Sequence, residues 1–249
     1  MYFPWVGMLE QIRLADVFVH YDDVQFSKGS FTNRVQVKLP PENISWMTVP
    51  LKDLSLGQRI DAVQIRDTCA WKHKHLAMLQ ASFAKAPFRR DALGLAESVL
   101  DRTHNSIAEL SRDSMLTLAD YFGLSLTTRF IDSKALAING HGSQRVFDIV
   151  KHLKGERYVT GQGALHYLDH ELFEQGRVEV AYMDYECRPY AQSHGLFTPY
   201  VSALDLVAHV GRSGIEFMTS KAIYWRDFNN GSSSQISTRS GREHSQPCS

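Results

Sequence analysis

A chain of 249 residues, 43% hydrophobic and 22% charged, can bury a full core and has room for one large domain or a domain with a subdomain. Its 27 basic residues balance 27 acidic ones, which excludes a general attraction to nucleic acid or to an anionic membrane, so any anion site must be local. Cys69, Cys187 and Cys248 are widely spaced and form no CxxC pair, so neither a disulfide framework nor a thiolate zinc site is expected.

A reducing, cytoplasmic setting fits this cysteine usage. No run of about 18 uncharged apolar residues is present to span a bilayer, and the N-terminus lacks the basic segment and long apolar stretch of a secretory signal.

The opening reads as a loop, a helix over about 6–15 carried by Val6, Leu9, Ile12 and Leu14, and a strand at 17–21. Val17-Phe18-Val19 stops abruptly at His20, Asp22, Asp23 and Gln25, as a central strand does when it delivers polar side chains to its carboxyl end, where open α/β sheets bind ligands. Carboxylates beside an imidazole there suit a metal, a ribose hydroxyl or an ammonium; a surface turn with capping aspartates explains the same residues. Phe31–Lys38 alternates and Ser45–Leu51 is extended, which predicts a hairpin-like excursion stiffened by Pro40-Pro41, and Ala62–Ile65 reads as a further short strand.

From Trp71 the period becomes helical, with Leu76, Leu79 and Phe83 on one stripe and Ala86-Pro87 as the stop. Trp71-Lys72-His73-Lys74-His75 places free backbone N–H groups and basic side chains where an anion is favoured, with His75 near neutrality as a general base; a solvated basic helix start is the plain alternative. His73 and His75 are two apart and diverge on a helix, so no metal is expected there. Helices follow at about 90–101 and 106–122, then a strand over Leu124–Ile131 after Gly123.

The last third alternates: a helix at 143–153, a strand at 157–160, a helix at 164–175, a strand at 178–182 and a helix from Ser202. That alternation predicts an α/β fold with a mostly parallel open sheet flanked by helices, a helical middle segment over about 71–122 and a small β excursion near the N-terminus. Gly161, Gln162 and Gly163 sit at a strand-to-helix step where backbone amides can approach a ligand, though neither a Walker nor a dinucleotide fingerprint is present and a plain turn fits equally. The irregular, polar and aromatic stretch from Pro189 to Pro199, with Tyr190 and Gln192, is the kind of segment that lines binding sites. Ser202 and Asp205 read as a helix start explained by capping. Residues 1–228 are expected to form a single α/β domain and 229–249 a flexible polar tail.

Together, Tyr2-Phe3-Pro4-Trp5-Val6-Gly7, Ala15–Val19, Asp22–Phe26, Asn33-Arg34, Trp46–Pro50, Trp71 with Lys74-His75, Ala84–Phe88, Gly161 with Gly163-Ala164, Tyr167–Asp169, Tyr190 with Gln192, and Phe197 with Ser202 and Asp205-Leu206 resemble the WbqC-like family over about residues 1–211. The family pattern opens with Gln-Pro ahead of the aromatic and proline pair, a dipeptide not seen here. The resemblance implies bacterial surface-polysaccharide and amino-sugar chemistry, including O-antigen biosynthesis. It points to a transferase that acylates or aminoacylates an amino sugar, presented as a nucleotide sugar, from a carrier-bound or CoA-bound donor.

On that expectation His75 is the base with His20 second, while Asp22 and Asp23 orient the sugar or ammonium. Asn33, Arg34 and Lys74 bind anionic groups, Gln192 positions the acceptor, and Pro4, Trp5, Gln25, Gly161, Gln162, Gly163 and Tyr190 complete the contacts. No cofactor is specified. A nucleotidyl- or adenylyl-transferase, with Pro4–Gly7 and the His75 region around a triphosphate, and a non-catalytic scaffold are the rival expectations.

Overall fold

The structure, a computed structural model, describes residues 1–66 and 69–228; the tail expected at 229–249 lies outside the described residues. The fold is α/β. Contacts gather into two compact units, residues 1–137 with 186–219 and residues 138–185 with 220–228, where the sequence suggests one domain.

In the first unit α1 (Val6–Arg13) leads into β1 (Val17–His20), which pairs in parallel with β4 (Arg129–Asp132), His20 lying opposite Asp132. β1 is half-buried rather than central, and its one fully buried residue is the polar His20. Gly7 is required at its position: a Cβ there would stand 2.4 Å from the Trp5 ring, which lies against the helix. β2 (Arg34–Leu39) and β3 (Asn43–Thr48) form the expected antiparallel hairpin, with Pro40-Pro41 in the turn.

The stretch read as a strand at 62–65 is instead the end of a short 3-10 turn, Ile60–Ala62, followed by single bridges from Gln64 to Ser106 and from Ile65 to Leu51. With no continuous neighbour along it, the segment cannot extend a ladder.

The helical middle is as the periodicity requires: α2 (Cys69–Ser82), α3 (Arg89–Leu100) and α4 (Ile107–Tyr121). Ser106 caps α4 by accepting from the Glu109 amide at 3.2 Å, and α7 (Ala203–Val210) packs on α3. Leu124–Leu126 is a 3-10 turn, so the strand expected from 124 starts only at Arg129. The core of this unit gathers Tyr2, Phe3, Leu9, Ile12, Leu79, Phe83, Ile107, Leu118 and Leu204, all fully buried, each such side chain contributing about 1.5–3 kcal/mol of transfer free energy.

The second unit contains α5 (Gly142–His152), β5 (Arg157–Thr160), α6 (His170–Gln175), β6 (Glu179–Asp184) and β7 (Lys221–Tyr224). β5 and β6 are parallel and β6 and β7 antiparallel. Parallel pairing therefore occurs as the two pairs β1–β4 and β5–β6 rather than along one wide sheet. Gln162–Ala164 is a 3-10 turn, and the helix expected from 164 begins at His170, where Asp169 accepts from the Leu172 amide at 3.1 Å. Phe173, Val180 and Tyr182 anchor a separate core.

Candidate functional site

The expected site residues fall into distinct settings. At the carboxyl end of the β1–β4 pair, Arg112 of α4 bonds both Asp22 and Asp132, the latter at 2.7 Å, and so ties the two strand ends together. Asp23 accepts from Ser133 Oγ at 2.7 Å, and Asp61 accepts from Arg59. The bond from Arg112 holds the Asp132 carboxyl below its ordinary range.

These carboxylates are thus engaged by neighbouring donors. His20 is 7% exposed, stacks on Phe130 with ring centroids 5.7 Å apart, and its Nε2 has no hydrogen-bond partner among the described residues. Burial first, and then the Arg112 charge, lower its pKa to about 4. Gln25 is exposed and bridges Arg59.

His75 lies on the buried stripe of α2, 2% exposed. Its Nδ1 meets the Tyr2 hydroxyl at 2.9 Å and the ring bonds the Thr48 carbonyl, with Trp71 edge-on at 5.2 Å. Burial lowers its pKa to about 4 against the pull of that carbonyl. Both ring nitrogens are occupied, so His75 holds the N-terminal loop in place. Lys74, one residue before it, is exposed.

Asn33 is buried and donates to the Val49 carbonyl at 3.0 Å, tethering the hairpin. Arg34 lies 4.2 Å from the Trp46 ring and bonds the Gly29 carbonyl. Pro4 is buried, its carbonyl accepting from the Ala203 amide at 2.8 Å; Trp5 bridges Ser202, and its ring lies 5.8 Å from Tyr200. Gly161, Gln162 and Gly163 belong to the second unit, in the 3-10 turn after β5. A Cβ on Gly163 would meet nothing within 4 Å, so close packing does not demand glycine there.

The densest polar network surrounds Tyr190 and Gln192. The Tyr190 hydroxyl donates to Asp205 Oδ1 at 3.0 Å and accepts from Gln192 Nε2 at 3.1 Å. Gln192 is clamped by Thr198 through both its amide groups. Lys38, only 3% exposed, points its ammonium at Gln192 Oε1 and at the carbonyls of Gly195 and Leu196, at 3.3, 3.1 and 2.8 Å. Burial lowers the Lys38 pKa, opposed by Asp205 and Glu42, and burial with the Asp205 charge raises that of Tyr190 well above its usual value.

Asp205 therefore does more than cap. Ser202 accepts from the Leu204 amide and caps α7, while the Asp205 carboxylate turns inward to Tyr190 and, one helical turn on, to His209 Nδ1 at 3.4 Å. His209 Nδ1 also lies 2.9 Å from the Asp205 carbonyl, and its Nε2 accepts from the Ser193 amide at 3.0 Å, with Ser193 Oγ at 2.9 Å. A ring accepting at Nε2 carries its hydrogen on Nδ1, and its one acceptor lone pair is shared between the Ser193 amide and the adjacent hydroxyl. Burial opposes charge on this ring, but the bonds and charge of Asp205 outweigh it and raise the His209 pKa.

Sequence reasoning marked Tyr190 and Gln192 but missed Lys38, Ser193 and His209. The four-residue spacing of Asp205 and His209 on one helix was the available signal.

A cavity of about 770 Å³ opens in the first unit beside α2. Lys52, Asp53, Arg66, Trp71, Lys72 and His104 are among the residues that line it. Among the described residues, no group of three or more His, Cys, Asp or Glu side chains is placed to hold a metal, and no helix is long and apolar enough to cross a membrane.

Two short parallel pairs, an antiparallel hairpin and a helical middle define an α/β protein, and the buried polar network between the returning loop and α7 lies within the first unit. The chain belongs to the WbqC-like protein family, whose model matches residues 1–217. It is 29% identical over 219 residues to the Mycobacterium tuberculosis (strain ATCC 25618 / H37Rv) protein named "Uncharacterized protein Rv1507c", covering 87% of this chain and 94% of the relative. No solved structure matches.

Proposed function

We propose that the protein is a cytoplasmic transferase that moves an acyl or aminoacyl unit from an activated donor to the amine of an amino sugar, presented as a nucleotide sugar. The observation that carries this is His209, an imidazole whose Nδ1 is held by the Asp205 carbonyl at 2.9 Å with the buried Asp205 carboxylate beside it at 3.4 Å. Acyl transfer needs a group that takes a proton as the new bond forms, and a histidine held by a carboxylate does this near neutral pH.

His209 takes the base role expected of His75, because Asp205 raises its pKa whereas burial lowers that of His75 to about 4. Lys38 and Gln192 hold the loop 190–198 over this histidine. The cationic groove of Lys52, Arg66 and Lys72 suits the phosphates of a nucleotide sugar or a phosphate-bearing acyl carrier.

The test incubates the protein with acyl and aminoacyl thioesters and nucleotide-linked amino sugars and follows the sugar by mass spectrometry. The reading requires an amide mass gain on the sugar that His209→Gln slows by about 100-fold or more. No mass gain with any pair would overturn it.

The same groove, with an aromatic ring among cations, favours a second reading, an adenylyl or nucleotidyl transferase. That reading requires magnesium-dependent pyrophosphate release from ATP or CTP and its loss in Arg66→Ala.

A further inference from the structure

The loop 190–198 returns over α7 so that Ser193 meets His209 Nε2 with both its amide, at 3.0 Å, and its hydroxyl, at 2.9 Å. A substrate amine would have to displace Ser193 to give its proton to this nitrogen. The hydroxyl is already there, half-exposed, whereas the imidazole and the carboxylate behind it are buried. Immediately after Ser193 the backbone passes through two left-handed residues, His194 (φ 61°) and Gly195 (φ 86°), which turn the chain sharply at the serine. His194 is pinned through Nε2 to the Ser82 carbonyl at 3.0 Å, and the Gly195 carbonyl is pinned by Lys38. These contacts fix the chain after Ser193, and the bonds of Gln192 with Thr198 fix it before.

We infer that Ser193, with His209 as its base and Asp205 as the group orienting that base, is a nucleophile that carries the acyl unit as a covalent ester; this rests on the transferase reading for its acceptor.

Ser193 Oγ attacks the carbonyl carbon of an acyl thioester and its proton passes to His209 Nε2. The new C–O bond remains and the C–S bond breaks, the departing sulfur taking the proton from His209 as a thiol. The sugar amine then attacks the ester carbonyl and gives a proton to His209. That proton returns to Ser193 Oγ as the C–O bond breaks, leaving the amide and the starting enzyme. No redox partner or further co-reactant enters the balance.

The experiment uses two probes on the full chain, a biotinylated fluorophosphonate and p-nitrophenyl acetate, neither of which needs the natural donor. The nucleophile proposal requires one label per chain on the peptide holding Ser193, its loss in Ser193→Ala, and labelling about 100-fold or more slower in His209→Gln, whose serine is intact. It requires an initial burst of nitrophenolate equal to the enzyme present. Labelling of another serine, equal rates with and without His209, or amide formation undiminished in Ser193→Ala would each overturn the proposal. Labelled Ser193 with no acylated sugar from any thioester would leave the nucleophile standing and overturn the amino-sugar reading instead.

Discussion

At the scale of single residues, three histidines with the same free-solution chemistry are driven apart by their surroundings. His20 and His75 are buried and titrate near 4, whereas Asp205 raises His209 above the ordinary histidine value. The shifts have opposite signs. Between the unfolded value of 6.5 and about 4, the unfolded chain binds protons at His20 and His75 that the native state refuses, so stability is present above pH 6.5 and lost as pH falls. The loss is on the order of 3 kcal/mol per ring at 1.36 kcal/mol per unit.

Urea titrations from pH 7 to 4 should show that decline, and His75→Gln, which keeps both hydrogen-bonding roles, should remove about half of it. Catalysis also weakens as pH falls, but from a higher pH. A base works only unprotonated, so turnover should rise with pH through a midpoint above the ordinary histidine value, and Asp205→Asn should move that midpoint down. Asp205, Lys38 and Tyr190 are the titratable groups facing this ring, and a midpoint unmoved by Asp205→Asn would show that the carboxylate does not tune it.

Tyr190 and Gln192 were visible in the sequence because an irregular polar and aromatic segment has few structural duties. Lys38 was not, because the alternation of β2 alone does not reveal which carbonyls a loop about 155 residues away will bring to its ammonium. The surroundings of His75 were hidden for a related reason: its place on an apolar helical stripe with Trp71 and Leu79 fits a satisfied core histidine as well as it fits a base, and the Tyr2 and Thr48 contacts cannot be read from that stripe.

At the scale of elements, the clearest signals were helical periods, and α2, α3 and α4 lie where those periods place them. Short apolar runs were ambiguous: 62–65 and 124–126 have strand-like composition but lack a neighbour to complete a ladder, and β7 at 221–224 gave no distinctive pattern. Arg112 is the element-scale fastening that local patterns could not display, since it joins α4 to the ends of both β1 and β4. Arg112→Met should leave Asp22 and Asp132 without their shared cation and cost about 2–3 kcal/mol, read as a lower denaturation midpoint. Ser106→Ala should cost about 1 kcal/mol through the lost cap of α4. If Ser106→Ala proved the more damaging of the two, the strand-end fastening would carry little stability.

At the scale of the whole molecule, the chain divides its apolar residues between two cores, and the strand–helix alternation that announced an α/β fold is shared between them. The composition reveals how much core there is but not that it is split, because the second unit is completed by residues 220–228 after the chain has returned to the first. Phe173 is fully buried in the second core, and Phe173→Ala should cost about 3–5 kcal/mol there. Hydrogen exchange should then quicken in β5, β6 and β7 while α4 keeps its protection; equal loss in α4 would mean that the two cores melt as one.

The central claim is that an acyl unit crosses from donor to sugar by way of Ser193, and intact-protein mass spectrometry reads that passage directly. Mixed with an acyl thioester alone, the protein should gain one acyl mass on Ser193; addition of a nucleotide-linked amino sugar should return the protein to its starting mass as the same increment appears on the sugar. An acylated sugar formed while the protein never gains mass, or an acylated Ser193 that no amino sugar discharges, would contradict the account.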